Sequence, residues 1–139
     1  MSNTLHYLAL GDSYTIGEQV PIYESFPYQL IQMLRKEKEM YHRFAAPEIV
    51  AKTGWTTDEL LQGIQESILL PEYDFVTLLI GVNNQYRGRT VENYEAEFET
   101  LLQKAIVFAG NDATRVVVLS IPDWGITPFA ADRDTGKIA

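Results

Sequence analysis

The chain of 139 residues contains no cysteine, which removes disulfides and thiolate metal sites from consideration. It is short of basic residues, with 11 Lys and Arg against 19 Asp and Glu and a net charge of −8. That balance opposes binding to phosphate backbones and adsorption to anionic membranes. No stretch approaches the roughly 18 uninterrupted apolar residues of a membrane-spanning helix. The opening Met-Ser-Asn-Thr-Leu-His-Tyr lacks the basic region and apolar run of a signal peptide. The chain is therefore expected to be cytoplasmic, with no nucleic-acid partner and no stable membrane insertion. Repeats, low-complexity tracts and linkers are also missing. What remains is 46% hydrophobic and 22% charged, a globular balance that suits a single domain spanning 1–139.

Strand and helix signals alternate along the chain. Residues 5–10 form a short apolar run ending at Gly11, a first strand. Ser25 and Pro27 can start a helix, with Tyr28, Ile31, Leu34 and Lys38 at helical spacing towards Arg43. Residues 48–51 read as a second strand. Thr56-Thr57-Asp58-Glu59 fits a capping box, and the helix after it carries Leu60, Leu61, Ile64 and Ile68 on one face. Residues 75–80 are apolar almost throughout, as in a strand buried on both faces. Val91, Tyr94, Phe98, Leu101, Leu102, Ala105 and Ile106 form a helical stripe, and residues 116–121 are a fourth apolar run. The order βαβαβαβ predicts an α/β fold of three layers, with a mostly parallel sheet between helices.

Ligands of such sheets bind where the carboxyl ends of the strands meet the following loops. Three polar segments fall there: Gly11-Asp12-Ser13-Tyr14, Lys52-Thr53-Gly54-Trp55 and Gly81-Val82-Asn83-Asn84-Gln85. Taken singly, Gly54 and Asn83 are common turn residues. Taken in order, the three segments resemble the signature blocks of the SGNH/GDSL hydrolases. Gly11-Asp12-Ser13 matches the block whose serine is the nucleophile, Gly54 the glycine of the second block, and Asn83 the asparagine of the third. Ile121-Pro122-Asp123-Trp124-Gly125 looks like the loop after the fourth strand, so the matches run from Leu8 to about Pro128.

The resemblance implies a flavodoxin-like sheet and a serine ester hydrolase that acts on a small-molecule ester and needs no cofactor or metal. Ser13 would attack, and the Ser13 N–H, the Gly54 N–H and the Asn83 amide would hold the oxyanion. Preorganised donors of this kind suit the tetrahedral intermediate of ester hydrolysis. Tyr14 and Asn84 depart from the family, which has an aliphatic residue and an aspartate there. The family's closing Asp-x-x-His, which supplies the base and its orienting carboxylate, has no counterpart in 1–139. Of the two histidines, His6 falls about 15–20 Å from the serine end of its strand and His42 about 25 Å away along a helix. The expectation is an amino-terminal portion whose His and Asp lie downstream of Ala139. Its last strand and helix would be missing, it would be nearly inactive alone, and its unfinished edge at 116–121 would be prone to self-association.

Other chemistries fit less well. A phosphotransfer site at Asp12 needs a second aspartate where Tyr14 stands, and a receiver domain needs one where Asn83 stands. A nucleotide binder would show a longer phosphate loop without a carboxylate. A non-catalytic module that keeps the pocket without the base is the alternative. Trp55, Tyr86 and Trp124 are expected to pack rather than to bind, and the acidic run 92–99 to be a solvated helix face.

Overall fold

The strand β1 (Tyr7–Gly11) is buried along its whole length because it has a parallel neighbour on each side. These are β2 (Glu48–Ala51) and β3 (Phe75–Leu79), and β4 (Val116–Val118) joins the far side of β3 to give the order β2-β1-β3-β4. This computed structural model describes residues 4–37 and 43–121. Its helices are α1 (Ser13–Ile16), α2 (Phe26–Arg35), α3 (Thr57–Glu66), α4 (Val82–Tyr86) and α5 (Val91–Phe108). The three layers and the parallel sheet agree with the sequence pattern.

The alternation of side chains along a strand divides the core in two. Leu8, Leu10, Val76 and Leu78 face Leu60 and Ile64 of α3 and Leu101 and Ala105 of α5. Tyr7 and Ala9 face the opposite way, against Ile31 of α2 and Phe44. On that second face the Tyr7 ring stacks on Phe75 at 4.2 Å, and its hydroxyl reaches Thr77 Oγ1 at 2.6 Å. The buried phenol thus has a partner, which a polar group in a core requires. Burial pushes the Tyr7 hydroxyl up to about 12, so it stays neutral.

Several expectations need correcting. The stretches after β1 and β3 are not loops: each turns directly into a short helix, α1 and α4. Helix α2 stops at Arg35 rather than running to Arg43, and Arg35 Nη2 donates to the Phe44 carbonyl at 2.8 Å, which turns the chain back towards β2. Residues 38–42, including His42, lie outside the described residues. Helix α3 ends at Glu66, so Ile68 is not on its apolar face but fully exposed. Val91, the first residue of the α5 stripe, is 73% exposed, and β4 has three residues instead of six.

Among the described residues β4 is an edge strand, with Val117 and Val118 roughly half exposed. Beside it, Phe26, Leu30, Met33, Phe75, Val117 and Leu119 border an apolar groove of about 640 Å³. An apolar edge with unpaired backbone groups invites another strand. We propose self-association through β4, and Val117→Lys should then suppress it. Sedimentation velocity over a hundredfold range of concentration checks this, and a wild-type chain that stays monomeric throughout refutes it.

Candidate active site

The register brings the three strands that precede the polar segments to one level. Gly11 lies opposite Ala51 of β2 and Leu79 of β3, so the chain leaves the sheet at the same height three times. Ser13, Gly54 and Asn83 all line the cleft that results, about 460 Å³ in volume, together with Tyr14, Glu18, Thr53 and Tyr86. Tyr86 packs against Val82, as expected, and also borders this cleft. Trp55 is partly buried against the core as expected, its ring lying where a side chain on Gly63 would otherwise sit. Trp124 and residues 122–125 of the fourth matched segment lie outside the described residues.

Each cleft residue is held by its local structure. Asp12 caps α1, its carboxylate accepting from the Tyr14 N–H at 3.1 Å while its carbonyl accepts from Thr15 and Ile16. Ser13 is the first residue of that helix, where an amide N–H has no partner within the helix and faces outward. Gly54 sits at φ 87°, a conformation that strains any side-chain-bearing residue. Space is not its constraint, because a Cβ there would find only Arg87 Nη2, at 4.0 Å. Arg87 fastens this turn by donating to the Gly54 carbonyl at 2.7 Å, and it also pairs with Glu59 at 3.0 Å.

Asn83 and Asn84 open α4 together with Val82. The Asn83 amide donates to the Trp55 carbonyl at 3.0 Å. An amide nitrogen carries two hydrogens, so one remains for the cleft. Asn84, buried with 2% exposure, bonds Thr57 twice: its Oδ1 accepts from the Thr57 N–H at 3.2 Å and its Nδ2 donates to Thr57 Oγ1 at 2.9 Å. Thr57 Oγ1 in turn donates to Glu97 Oε1 at 2.6 Å. Glu97 thus departs from the expected solvated face of α5. Thr56 and Glu59 form the expected capping box, with the Thr56 N–H donating to Glu59 Oε1 at 3.1 Å.

Of the two histidines, His6 is the one the structure describes. Its N–H donates to Asp74 Oδ2 at 2.7 Å at the amino end of β1, the opposite end from Ser13. Among the described residues no group of three or more His, Cys, Asp or Glu side chains could hold a metal ion, and no helix is long and apolar enough to cross a membrane.

The carboxylate next to Ser13 is unusual. Asp12 is 1% exposed; burial pushes its pKa from 3.8 to about 6, opposed by the hydrogen bonds from the Tyr14 and Asp12 amides. Burial also raises the Tyr14 phenol, with smaller contributions from Tyr86 and Asp12. Because the folded chain holds the Asp12 proton more tightly, the associated stability is fully present below pH 3.8 and is lost as pH rises through about 6. Two pKa units correspond to about 3 kcal/mol. The urea midpoint of Asp12→Asn should therefore gain on the wild type between pH 4 and pH 7. Parallel pH profiles for the two proteins would rule out a buried, proton-retaining Asp12.

With this geometry in place, the relatives are informative. The family model of the GDSL-like lipase/acylhydrolase family matches residues 9–138. No curated protein matches the sequence significantly. Among solved structures, TesA superposes with a TM-score of 0.71 at 17% identity, covering 96% of this chain and 68% of its own. The SGNH-hydrolase family esterase AlinE4 gives 0.65 at 22% identity, covering 95% and 73%. The lipase/acylhydrolase from Enterococcus faecalis gives 0.64 at 21% identity, covering 97% and 66%. At such identities the superpositions speak for the fold, and the chain spans about two thirds to three quarters of these proteins. The match over nearly the whole sequence settles membership: the chain belongs to the GDSL-like lipase/acylhydrolase family.

Proposed function

We propose that the protein is a serine ester hydrolase in which Ser13 is the nucleophile. The observation that carries this reading is the single cleft shared by Ser13, Gly54 and Asn83. Ser13 Oγ would attack the ester carbonyl carbon and form a tetrahedral oxyanion. The Ser13 and Gly54 N–H groups and the remaining Asn83 amide hydrogen would receive that charge as it develops. Collapse of the intermediate expels the alcohol, which takes up the proton that left Ser13, and water then hydrolyses the acyl-serine.

A serine hydroxyl is a weak nucleophile until a base takes its proton. His6 is at the wrong end of β1, so this reading draws the base and its orienting carboxylate from outside the described residues. The same observation favours the alternative of a binding module that retains the pocket without turnover. In comparable triads, loss of the base costs about 10⁴–10⁶ in rate. Chain 1–139 assayed alone on p-nitrophenyl acetate is accordingly expected to turn over at a trace rate, and brisk hydrolysis would mean that a base resides within it.

A fluorophosphonate probe tests the nucleophile directly, because it phosphonylates an activated serine. Labelling in a preparation that turns over should occur at Ser13 and disappear in Ser13→Ala; persistence in that variant would move the nucleophile elsewhere. In a preparation that turns over, Asn83→Ala should lower kcat about 10²–10³-fold with KM nearly unchanged, the signature of a donor that acts in the transition state. A raised KM with intact kcat would make Asn83 a substrate-binding residue instead.

A further inference from the structure

Asn84 stands beside Asn83 but is buried against Thr57 and does not line the cleft, and its partners dictate its orientation. The Thr57 N–H can only donate, so the amide oxygen must face it. The amide nitrogen then necessarily meets Thr57 Oγ1, and it too can only donate. Thr57 Oγ1 must therefore accept from Asn84 and send its single proton elsewhere. The group that receives it is Glu97 Oε1, at 2.6 Å. The direction of all three bonds follows from the amide at position 84, and it requires an acceptor at position 97.

This chain of bonds meets the cleft through its neighbours. Asn83 and Asn84 fasten to Trp55 and Thr57, the residues that follow Gly54. Arg87, one residue past α4, holds the Gly54 carbonyl itself. Two consecutive side chains and one guanidinium thus fix α4 to the segment 54–57. We propose that Asn84, Thr57 and Glu97 are positioning residues: their polarised hydrogen-bond chain sets the spacing between the Asn83 amide and the Gly54 N–H, with Glu97 as its obligatory acceptor.

An aspartate at position 84 exposes the polarity. It would accept from both the N–H and the hydroxyl of Thr57, taking the proton that Glu97 now receives. Glu97 would lose its donor, and two carboxylates would crowd one buried hydroxyl, an arrangement that like charges disfavour. A glutamine at position 97 repairs this by donating to Thr57 Oγ1, so that the chain runs in the reverse direction with every group satisfied.

The test is a cycle of Asn84→Asp, Glu97→Gln and the double variant, read in three ways: the rate at which a fluorophosphonate labels Ser13 in a preparation that turns over, the urea midpoint, and the NMR resonances of the Asn83 side-chain amide, assigned by their loss in Asn83→Ala. Asn84→Asp should slow labelling about tenfold, less than the roughly 10²–10³ that removal of a whole donor costs, because the Asn83 amide is displaced and not deleted. It should also lower the midpoint and shift the Asn83 amide signals. Adding Glu97→Gln should return all three most of the way to wild type. A double variant no better than Asn84→Asp overturns the polarity. Unmoved Asn83 signals beside a lowered midpoint overturn the positioning role and leave a structural brace. The kinetic arm rests on Ser13 being the nucleophile. A preparation that turns over yet takes no label at Ser13 defeats that reading alone, since the midpoints and amide signals still decide the hydrogen-bond chain.

Discussion

The parallel pairing of β1 with both β2 and β3 is the constraint from which the rest of the structure follows. A central strand has no solvent-facing edge, so its backbone groups are satisfied by its two neighbours and its side chains must be apolar on both faces. Tyr7, Leu8, Ala9 and Leu10 meet that demand, and Tyr7 does so while passing its hydroxyl to Thr77. Once the three strands run the same way at the same height, their carboxyl ends open on one side. Polar groups that are far apart in sequence then meet there without any further device.

Polar contacts take over at the point where apolar packing ends. Above the sheet, α1, α4 and the turn at Gly54 are short and bury little apolar surface beyond Val82, so hydrogen bonds carry much of their placement. Asp12 closes α1, Arg87 grips Gly54, and the paired asparagines of α4 grip Trp55 and the first residue of α3. A buried amide that misses its partner costs more than the bond contributes when made. These contacts therefore enforce one geometry more strongly than they add to net stability. The exposed pair of Arg87 and Glu59 differs, since water screens it and its worth is in holding direction.

Local patterns made much of this legible in advance. The strands appear as apolar runs, α3 announces itself through Thr56 and Glu59, and the α5 stripe correctly marks Leu101 and Ala105 as core. Parallel topology sends the three polar segments to one edge, and the resemblance to the SGNH/GDSL blocks singles out Ser13, Gly54 and Asn83 within them. What escaped depends on long-range partners. Glu97 sits in a run of acidic residues with nothing local to distinguish it, and its donor Thr57 is 40 residues away. Helix α4 has five residues, too few for a periodicity to register. Ile68 keeps the helical spacing of α3 although the helix has already ended, because spacing carries no information about where backbone bonding stops.

The level register has a further consequence for how such a chain can vary in length. Its strands behave as rulers whose common zero lies at the carboxyl ends, with Gly11, Ala51 and Leu79 side by side. A residue inserted on the far side of the sheet, in the turns before each strand, lengthens a loop at little cost. The same residue inserted near the zero mark would displace one cleft group by about 3.3 Å and turn the following side chain to the opposite face. Two ends of one sheet thus tolerate change very differently, and insertions should collect on the side away from Ser13.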